Sequence, residues 1–468
     1  MTSIVAVPQV TAELFVVPLE GAYLVYAPLQ KAAFVADGRT VNRIVALQEA
    51  TADLNDRETD RLVEFLRRLG IVEGAPEIPP ITHFSGQPKP TMVTLFLTTS
   101  CNLRCTYCYA SAGDTPKRAM SLEVAKQGID FIIQNALELQ KDEVEIAYHG
   151  GGEPTVNWNT LTQSYDYASL QAAKSGLKLR AAMASNGILS DDQIDWVLQH
   201  LDGVSLSFDG LPAAHDAHRL TVLGQPSSAH VLRTIQRFDE SNYNYALRLT
   251  VTHDQIGRLA DSITFICQKF HPRRIQVEPA YQLGRWTDAP SAETQSFLDQ
   301  YRAGQAEARK YGQDIHFSGA RLGTQTNHFC GITQDSFALT ADGNVSACYE
   351  VFLESLPRAE TFIYGHSEPA TGGYHFELPV LNHLREQTVD KHAFCQGCFA
   401  KWSCGSDCFH KSLAVNGEGE FAGSDRCHII RELTKDQILD RVERSGGLFW
   451  HDPPTTIAGD ARGKELLF

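Results

Sequence analysis

The chain is 468 residues long, about three domains at ~150 residues each, which excludes a coiled coil, a lone zinc finger and a small disulfide knot. With 43% hydrophobic and 21% charged residues it has the composition of a globular protein with sizeable cores. The formal net charge of −15 is the wrong sign for a phosphate-backbone partner and argues against nucleic acid as substrate.

Residues 1–80 read as a small N-terminal β/α domain. Apolar segments at Leu14 to Val17, Tyr23 to Tyr26 and Ala32 to Val35 predict short strands, and Leu62, Phe65, Leu66 and Leu69 recur at helical spacing up to Gly70, a left-handed stop. Pro76, Pro79, Pro80, Pro88 and Pro90 then mark an extended linker. From residue 91 to 310 strands alternate with helices. Thr91 to Thr99 is a strand ending at a cysteine cluster, Ile129, Ile132, Ile133, Ala136 and Leu137 face one side of a helix, and VEIAYHGGGEP, LKLRAAMASNG, GVSLSFDG, YALRLTVT and RRIQVEP supply five more strands. This pattern predicts an α/β fold, a parallel, partly closed (β/α)6 TIM-like barrel with its active site at the strands' C-terminal ends. Residues 315–430 are cysteine-rich and read as short of regular elements, shaped by metal centres; residues 431–468 read as a C-terminal helix and a Gly/Pro-broken tail. The start carries no basic cluster leading into an apolar run, and no apolar stretch approaches ~20 residues, so a cytoplasmic protein without a membrane partner is expected.

Eleven cysteines without an export signal favour bound metal or catalysis over disulfides. Cys101, Cys105 and Cys108 form a C-x3-C-x2-C loop behind a strand, and seven more fall between Cys330 and Cys427. Three thiolates at this spacing hold three irons of a cubane and leave the fourth open to a small molecule. A structural zinc loop is the alternative, although no fourth Cys or His follows closely behind Cys108. Cys267 reads as a buried core thiol.

With Tyr107 ahead of its last cysteine, this loop resembles the signature of the radical S-adenosylmethionine (SAM) enzymes. The resemblance implies a 4Fe-4S cluster on Cys101, Cys105 and Cys108, whose open iron chelates SAM and cleaves it to a 5'-deoxyadenosyl radical that abstracts hydrogen from the substrate. The turn Gly150-Gly151-Gly152-Glu153-Pro154 resembles the family's GGEP motif, which implies contacts from Gly151, Gly152 and Glu153 to the methionine amino group. Ser185-Asn186-Gly187 and Ser207-Phe208-Asp209-Gly210 resemble strand ends near the ribose and substrate, and Arg219 resembles an arginine placed for a SAM carboxylate or substrate. No catalytic base is assigned.

Cys330, Gly343-x4-Cys348, Cys395-x2-Cys398-x5-Cys404-x3-Cys408 and Cys427 resemble the SPASM extension of peptide-modifying radical SAM enzymes. It implies two auxiliary 4Fe-4S clusters, one on Cys330, Cys348 and Cys408 and one on Cys395, Cys398, Cys404 and Cys427. The first is then left with an open iron, a non-cysteine ligand or a substrate ligand. Zinc ribbons are the alternative here. The N-terminal unit resembles the winged-helix-like domains that hold leader peptides by a sheet edge, with a small ligand-free cap as the alternative. A net charge of −15 favours a leader carrying some basic residues.

These readings lead to a radical SAM/SPASM maturase, an oxidoreductase that installs a cross-link or related modification on a ribosomally made peptide or protein. Its implied partners are that substrate and an external electron donor of flavodoxin or ferredoxin type. A sulfatase-maturase-like enzyme making formylglycine is the nearest alternative. A non-catalytic iron-sulfur or zinc scaffold is an alternative of another class.

Overall fold

The computed structural model describes residues 8–79, 84–287, 293–368, 370–417, 419 and 421–452. Pro80 of the linker and most of the tail, residues 453–468, lie outside the described residues. The first unit is an antiparallel meander, β1 (Phe15–Leu19), β2 (Ala22–Ala27) and β3 (Ala32–Ala36), followed by α1 (Gly38–Gln48) and α2 (Arg57–Arg68). Asp37 accepts the Thr40 amide to start α1, and Asp56 accepts the Thr59 amide to start α2. Glu58 and Asp60 in the first turn of α2 and Arg67 and Arg68 in its last match the helix dipole. Gly70, at φ +68°, ends the turn after α2 as its position predicts. Val25, Phe34, Ile44, Val63 and Leu66 form the core between sheet and helices.

Beyond the linker, β4 (Met92–Leu95), β5 (Glu143–Tyr148), β6 (Lys178–Ser185), β7 (Gly203–Ser207), β8 (Tyr245–Val251) and β9 (Arg274–Pro279) pair in parallel and in sequence order. The crossovers are α3 (Leu122–Glu138), α4 (Trp158–Lys174), α5 (Asp191–His200), the pair α6 (Pro212–His218) and α7 (Ser228–Glu240), and α8 (Leu259–Lys269). α9 (Thr294–Lys310) follows β9 and leads to β10 (Ile315–His316), parallel to β9. Val93, Ile146, Met183, Leu206, Leu247 and Val277, one from each of the six strands, are buried in a common core, as parallel strands covered on both faces require.

The cysteine-rich region departs from expectation, because its strands continue the same sheet. β11 (Ala338–Leu339) pairs in parallel with β4, and β12 (Asn344–Ser346), β13 (Ile363–Glu368) and β14 (Gly373–Phe376) extend it antiparallel. Among the described residues the sheet has eleven strands in the order β10-β9-β8-β7-β6-β5-β4-β11-β12-β13-β14. These added strands are two to six residues long, too short to show periodicity, yet Leu339, Val345, Tyr364 and Phe376 join the main core. Four helices follow or interleave: α10 (Ala359–Phe362), α11 (Leu378–Arg385), α12 (Lys401–Cys404) and α13 (Phe409–Asn416).

The last helix, α14 (Asp425–Arg444), starts ahead of the expected boundary at 431 and carries Cys427 in its first turn. After it, β15 (Phe449–His451) pairs antiparallel with β3, so part of the expected tail is docked on the N-terminal sheet. Lys401 pairs with Glu13 at 2.6 Å, joining that unit to the cysteine-rich region. Among the described residues no helix is long and apolar enough to cross a membrane.

Candidate active site

Because the six strands are parallel, their C-terminal ends open on one side, and the loops there surround a single cavity. The loop after β4 brings Cys101, Cys105 and Cys108 to it. β5 brings Gly151, Gly152 and Glu153, β6 brings Ser185 and Asn186, β7 brings Ser207, and the turn after α6 brings Arg219. Tyr107 lines it too. The eight side chains and glycines proposed for SAM and the first three cysteines are thus gathered around one space.

The cysteine loop is pinned before any metal is considered. The Arg104 amide donates to Leu220 O (2.7 Å) and the Thr106 amide to His218 O (2.9 Å), which draws Arg219 against the loop. Arg285 donates to Cys105 O (2.9 Å) and its amide to Cys108 O (3.1 Å). Behind the loop, the Tyr107 hydroxyl donates to Asp209, Arg219 Nε donates to the same carboxylate oxygen (3.1 Å), and the guanidinium lies over the Tyr107 ring at 5.2 Å. Asp209 also accepts the Thr250 amide. Arg219 therefore enters the cavity as a buried, paired cation, its Nη1 3.9 Å from Cys105 Sγ.

The turn after β5 has to pass very close to the cysteine loop. A Cβ on Gly152 would stand 2.1 Å from Ser100 O, so only glycine fits. The Glu153 amide donates to that oxygen at 2.9 Å. The Glu153 carboxylate, 3% exposed, stitches turn to strand. Its Oε1 accepts from Thr155 N (3.3 Å), Thr155 Oγ1 (2.8 Å) and Ser185 Oγ (2.9 Å), and Oε2 from Asn186 N (2.7 Å). Burial pushes its pKa above the ordinary carboxylate range against these hydrogen bonds. Oε2, with a single donor, is the oxygen with capacity for an ammonium group. Asn186 Nδ2 donates to Asn102 Oδ1 (2.7 Å) and reaches Cys101 Sγ at 3.7 Å.

Do the residues fit a cluster? Burial, then Glu153 and the neighbouring thiols, push Cys101 up to about 12, and burial pushes Cys105 up to about 11. Such thiols ionise only beside a strong positive charge, which bound iron supplies. The Leu103 amide at 3.3 Å, Asn186 and Arg219 are donors already aimed at the sulfurs. A cubane takes each thiolate on a different iron. The residues fit a cubane.

In the second region, Cys330, Cys348 and Cys408 lie within electrostatic reach of one another, and Cys395, Cys398, Cys404 and Cys427 make a separate group. Burial raises Cys408 and Cys395 to about 12 each. Cys267 is buried on α8.

The cavity also holds residues not singled out from the sequence: His149, Arg248, Glu278, Tyr281, Glu350 and Lys411. Glu350 follows Cys348 by two residues and Lys411 follows Cys408 by three, so the cavity runs from the first cysteine loop to the first group of the second region. Glu350 Oε2 lies 2.6 Å from His410 Nδ1 and its Oε1 3.7 Å from Lys411 Nζ. Burial opposes the charge on Glu350, yet Lys411, His410 and Arg248 hold its pKa down to about 2. Lys411 also sits over the Tyr281 ring at 4.1 Å.

The cavity wall is clamped by Arg426, which bonds Glu278 (3.0 Å), Asp407 (2.8 Å), Ser318 (2.9 Å) and Tyr281 and fixes the start of α14 against the end of β9. A usable signal existed in the sequence. A charged residue inside a parallel strand, Arg248 in YALRLTV or Glu278 in RIQVEP, is a candidate to be paired or to line a site, because a sheet covered on both faces has no water to solvate it.

Residues 95–263 match the Radical SAM superfamily. The sporulation killing factor maturation protein SkfB of Bacillus subtilis is 27% identical over 283 residues, 59% of this chain and 64% of that protein. The mycofactocin maturase MftC of Mycolicibacterium smegmatis is 26% identical over 279 residues, 56% of this chain and 65% of that one. The chain thus spans just under two thirds of the length of these relatives. A solved structure, native anSMEcpe with bound AdoMet, superposes with a TM-score of 0.60 over 76% of this chain and 99% of that one at 16% identity, a likeness of fold.

Proposed function

Because the chain carries a Radical SAM superfamily domain, we propose that it is a SAM-dependent peptide maturase that abstracts hydrogen from a residue of a ribosomally made peptide and installs a cross-link or related modification. The observation that carries this reading is the continuity of the cavity. Cys101, Cys105 and Cys108 line one part of it, and Glu350 and Lys411, next to Cys348 and Cys408, line another. A substrate there lies between the first cluster and the first auxiliary one. When bound, the cluster on the first three cysteines supplies the electron that cleaves SAM to a 5'-deoxyadenosyl radical, and the clusters on the other seven supply an outlet for the electron left on the product.

The chain's own residues bind and orient. Glu153 Oε2 receives the methionine ammonium, Gly151 and Gly152 let the backbone approach it, and Arg219, held by Asp209, offers a guanidinium to a carboxylate. Ser185, Asn186 and Ser207 bound the space for the nucleoside. Tyr281, Glu350 and Lys411 are polar groups that a peptide entering from the second region meets. The electron enters from a flavodoxin- or ferredoxin-type donor.

Anaerobic reconstitution is expected to give about twelve irons per chain, four per cubane, and incubation with SAM and dithionite to release 5'-deoxyadenosine. Zinc in place of iron, or no release from fully loaded protein, refutes the reading in favour of a scaffold. Mass spectrometry of a short precursor encoded beside this chain and coexpressed with it names the modified residue; formylglycine on a sulfatase instead moves the assignment to that chemistry.

A further inference from the structure

Among the described residues the N-terminal sheet runs β1-β2-β3-β15, so β3 has no free edge. The outer strand β1 carries Pro18, which has no N–H to give a ladder. The other edge, β3, is covered by β15 of the same chain, in the register Phe449↔Phe34, Trp450↔Ala33 and His451↔Ala32. A peptide that pairs with β3 must therefore displace β15. It is three residues long. Gly446 and Gly447, at φ +102° and +81° with open space around both, join it to α14. So short a strand on a glycine hinge can open without the sheet beneath it, at the cost of exposing Trp450.

The seat is also a specific one. Trp450, 4% exposed, stacks on Tyr26 with ring centroids 6.4 Å apart, under the Arg441 guanidinium at 4.9 Å. Phe449, 40% exposed, meets Phe65 edge-on at 5.7 Å. The Asp452 amide donates to Lys31 O (3.1 Å) and its carboxylate pairs with Arg441 (3.0 Å). Trp450 Nε1 is buried with no hydrogen-bond partner among the described residues, so the present occupant leaves a donor unsatisfied. Trp450 and Asp452 line a cleft of about 790 Å³ whose Arg302, Arg309 and Arg444 are already paired with Asp436, Asp314 and Asp440, so a preference for an acidic residue rests on Arg441, which Asp452 releases on leaving.

We propose that β15 is a detachable occupant of the β3 edge, and that the substrate peptide takes its place with an aromatic side chain at the Trp450 position and an acidic residue two places on. This rests on the reading of the chain as a peptide maturase. The seat selects an acidic residue locally, although the charge of the whole chain favours a basic leader. Tethered in cis, β15 competes at high effective concentration, so the apparent affinity of a free peptide falls by the fraction of time the edge is open.

The test uses full-length protein and a fluorescein-labelled peptide GLFWHD, the sequence of residues 447–452, read by fluorescence anisotropy. Trp450→Ala, which empties the seat, and Asp452→Pro, which removes the bond to Lys31 and the pair with Arg441 but keeps Trp450, are each expected to bind it at least tenfold more tightly than wild type. The same peptide with its tryptophan replaced by alanine is expected not to bind. Equal binding by wild type and both variants overturns the proposal, as does hydrogen exchange in which the Phe449–His451 amides open only together with β2 and β3. Failure of the maturase reading looks different, because no precursor is then modified although the labelled strand still binds the variants. If instead a precursor is modified with the same KM by wild type and Asp452→Pro, the maturase stands and the detachable strand is refuted.

Discussion

Glu153→Gln separates the two jobs of the carboxylate after β5. Its Oε1 serves Thr155 and Ser185 and its Oε2 the Asn186 amide. A glutamine keeps one acceptor oxygen. Directed at Asn186, it retains the 2.7 Å bond and turns its NH2 toward the Thr155 and Ser185 hydroxyls, which can rotate to accept; only the Thr155 amide, at 3.3 Å, loses its acceptor. One buried unpaired N–H costs about 1–3 kcal/mol, partly offset because burial already disfavours the charged carboxylate. The ammonium of SAM keeps an oxygen at the Oε2 position but exchanges a carboxylate for a neutral amide acceptor, a loss of about 1–1.5 kcal/mol, about 5- to 12-fold in Kd. Anaerobic titration calorimetry of loaded enzyme with SAM, beside a thermal melt, is expected to show that loss of affinity with a small shift in Tm. Glu153→Ala orphans both the Thr155 and the Asn186 amides and is expected to lower stability by about 2–6 kcal/mol as well. Unchanged SAM affinity in Glu153→Gln at an unchanged Tm removes Glu153 from the ligand site and leaves it a turn cap.

Joint replacement of Cys101, Cys105 and Cys108 by Ala is expected to lower iron from about twelve to about eight atoms per chain and to stop 5'-deoxyadenosine release; retained release refutes the assignment. Gly152→Ala, which sets a Cβ against the Ser100 carbonyl, is expected to cost about 1–3 kcal/mol and to weaken SAM binding, whereas Gly176→Ala, at φ +69° in open space, changes stability without touching affinity. Arg385 grips Asp335 through two bonds of 2.7 and 2.8 Å with both side chains buried. Arg385→Ala is expected to cost about 3–5 kcal/mol in denaturant melts, because a carboxylate is left buried and unpaired. Burial holds the His215 pKa down to about 4 against an ordinary 6.5. The unfolded chain therefore takes up a proton first on acidification, and stability falls as pH drops from about 6.5 to 4 by up to about 3 kcal/mol. The difference in pH dependence between wild type and His215→Gln measures this, and parallel curves refute it.

The parallel core was legible because its strands run four to eight residues and recur with helical connections between them, so that the repeated alternation tells strand from helix. The short strands β11 and β12 were not, since two or three residues carry no period, and their membership in the sheet depends on β11 pairing with β4 across more than two hundred residues. The cysteine loop and the glycine-rich turn were readable for a different reason. The loop is local chemistry, three thiols within eight residues, and the turn is readable through its resemblance to a family motif; that its backbone passes so close to Ser100 O that no Cβ fits appears only in the fold. Glu153 was readable as a site residue, but its bonds to Ser185 and Asn186 were not, because they join residues thirty-two and thirty-three positions apart.

By itself the sequence determined the alternation of strands and helices and the loop of three closely spaced thiols, which follow from spacing along the chain, whereas the glycine that position 152 requires follows from a contact with Ser100 that only the fold creates. Only the tertiary structure decided that Glu350 and Lys411 share a cavity with Cys108, that Arg426 closes its wall, and that Trp450 covers the free edge of β3. Side chains separated by hundreds of residues meet only because burying the apolar faces of one continuous sheet brings their loops to the same end.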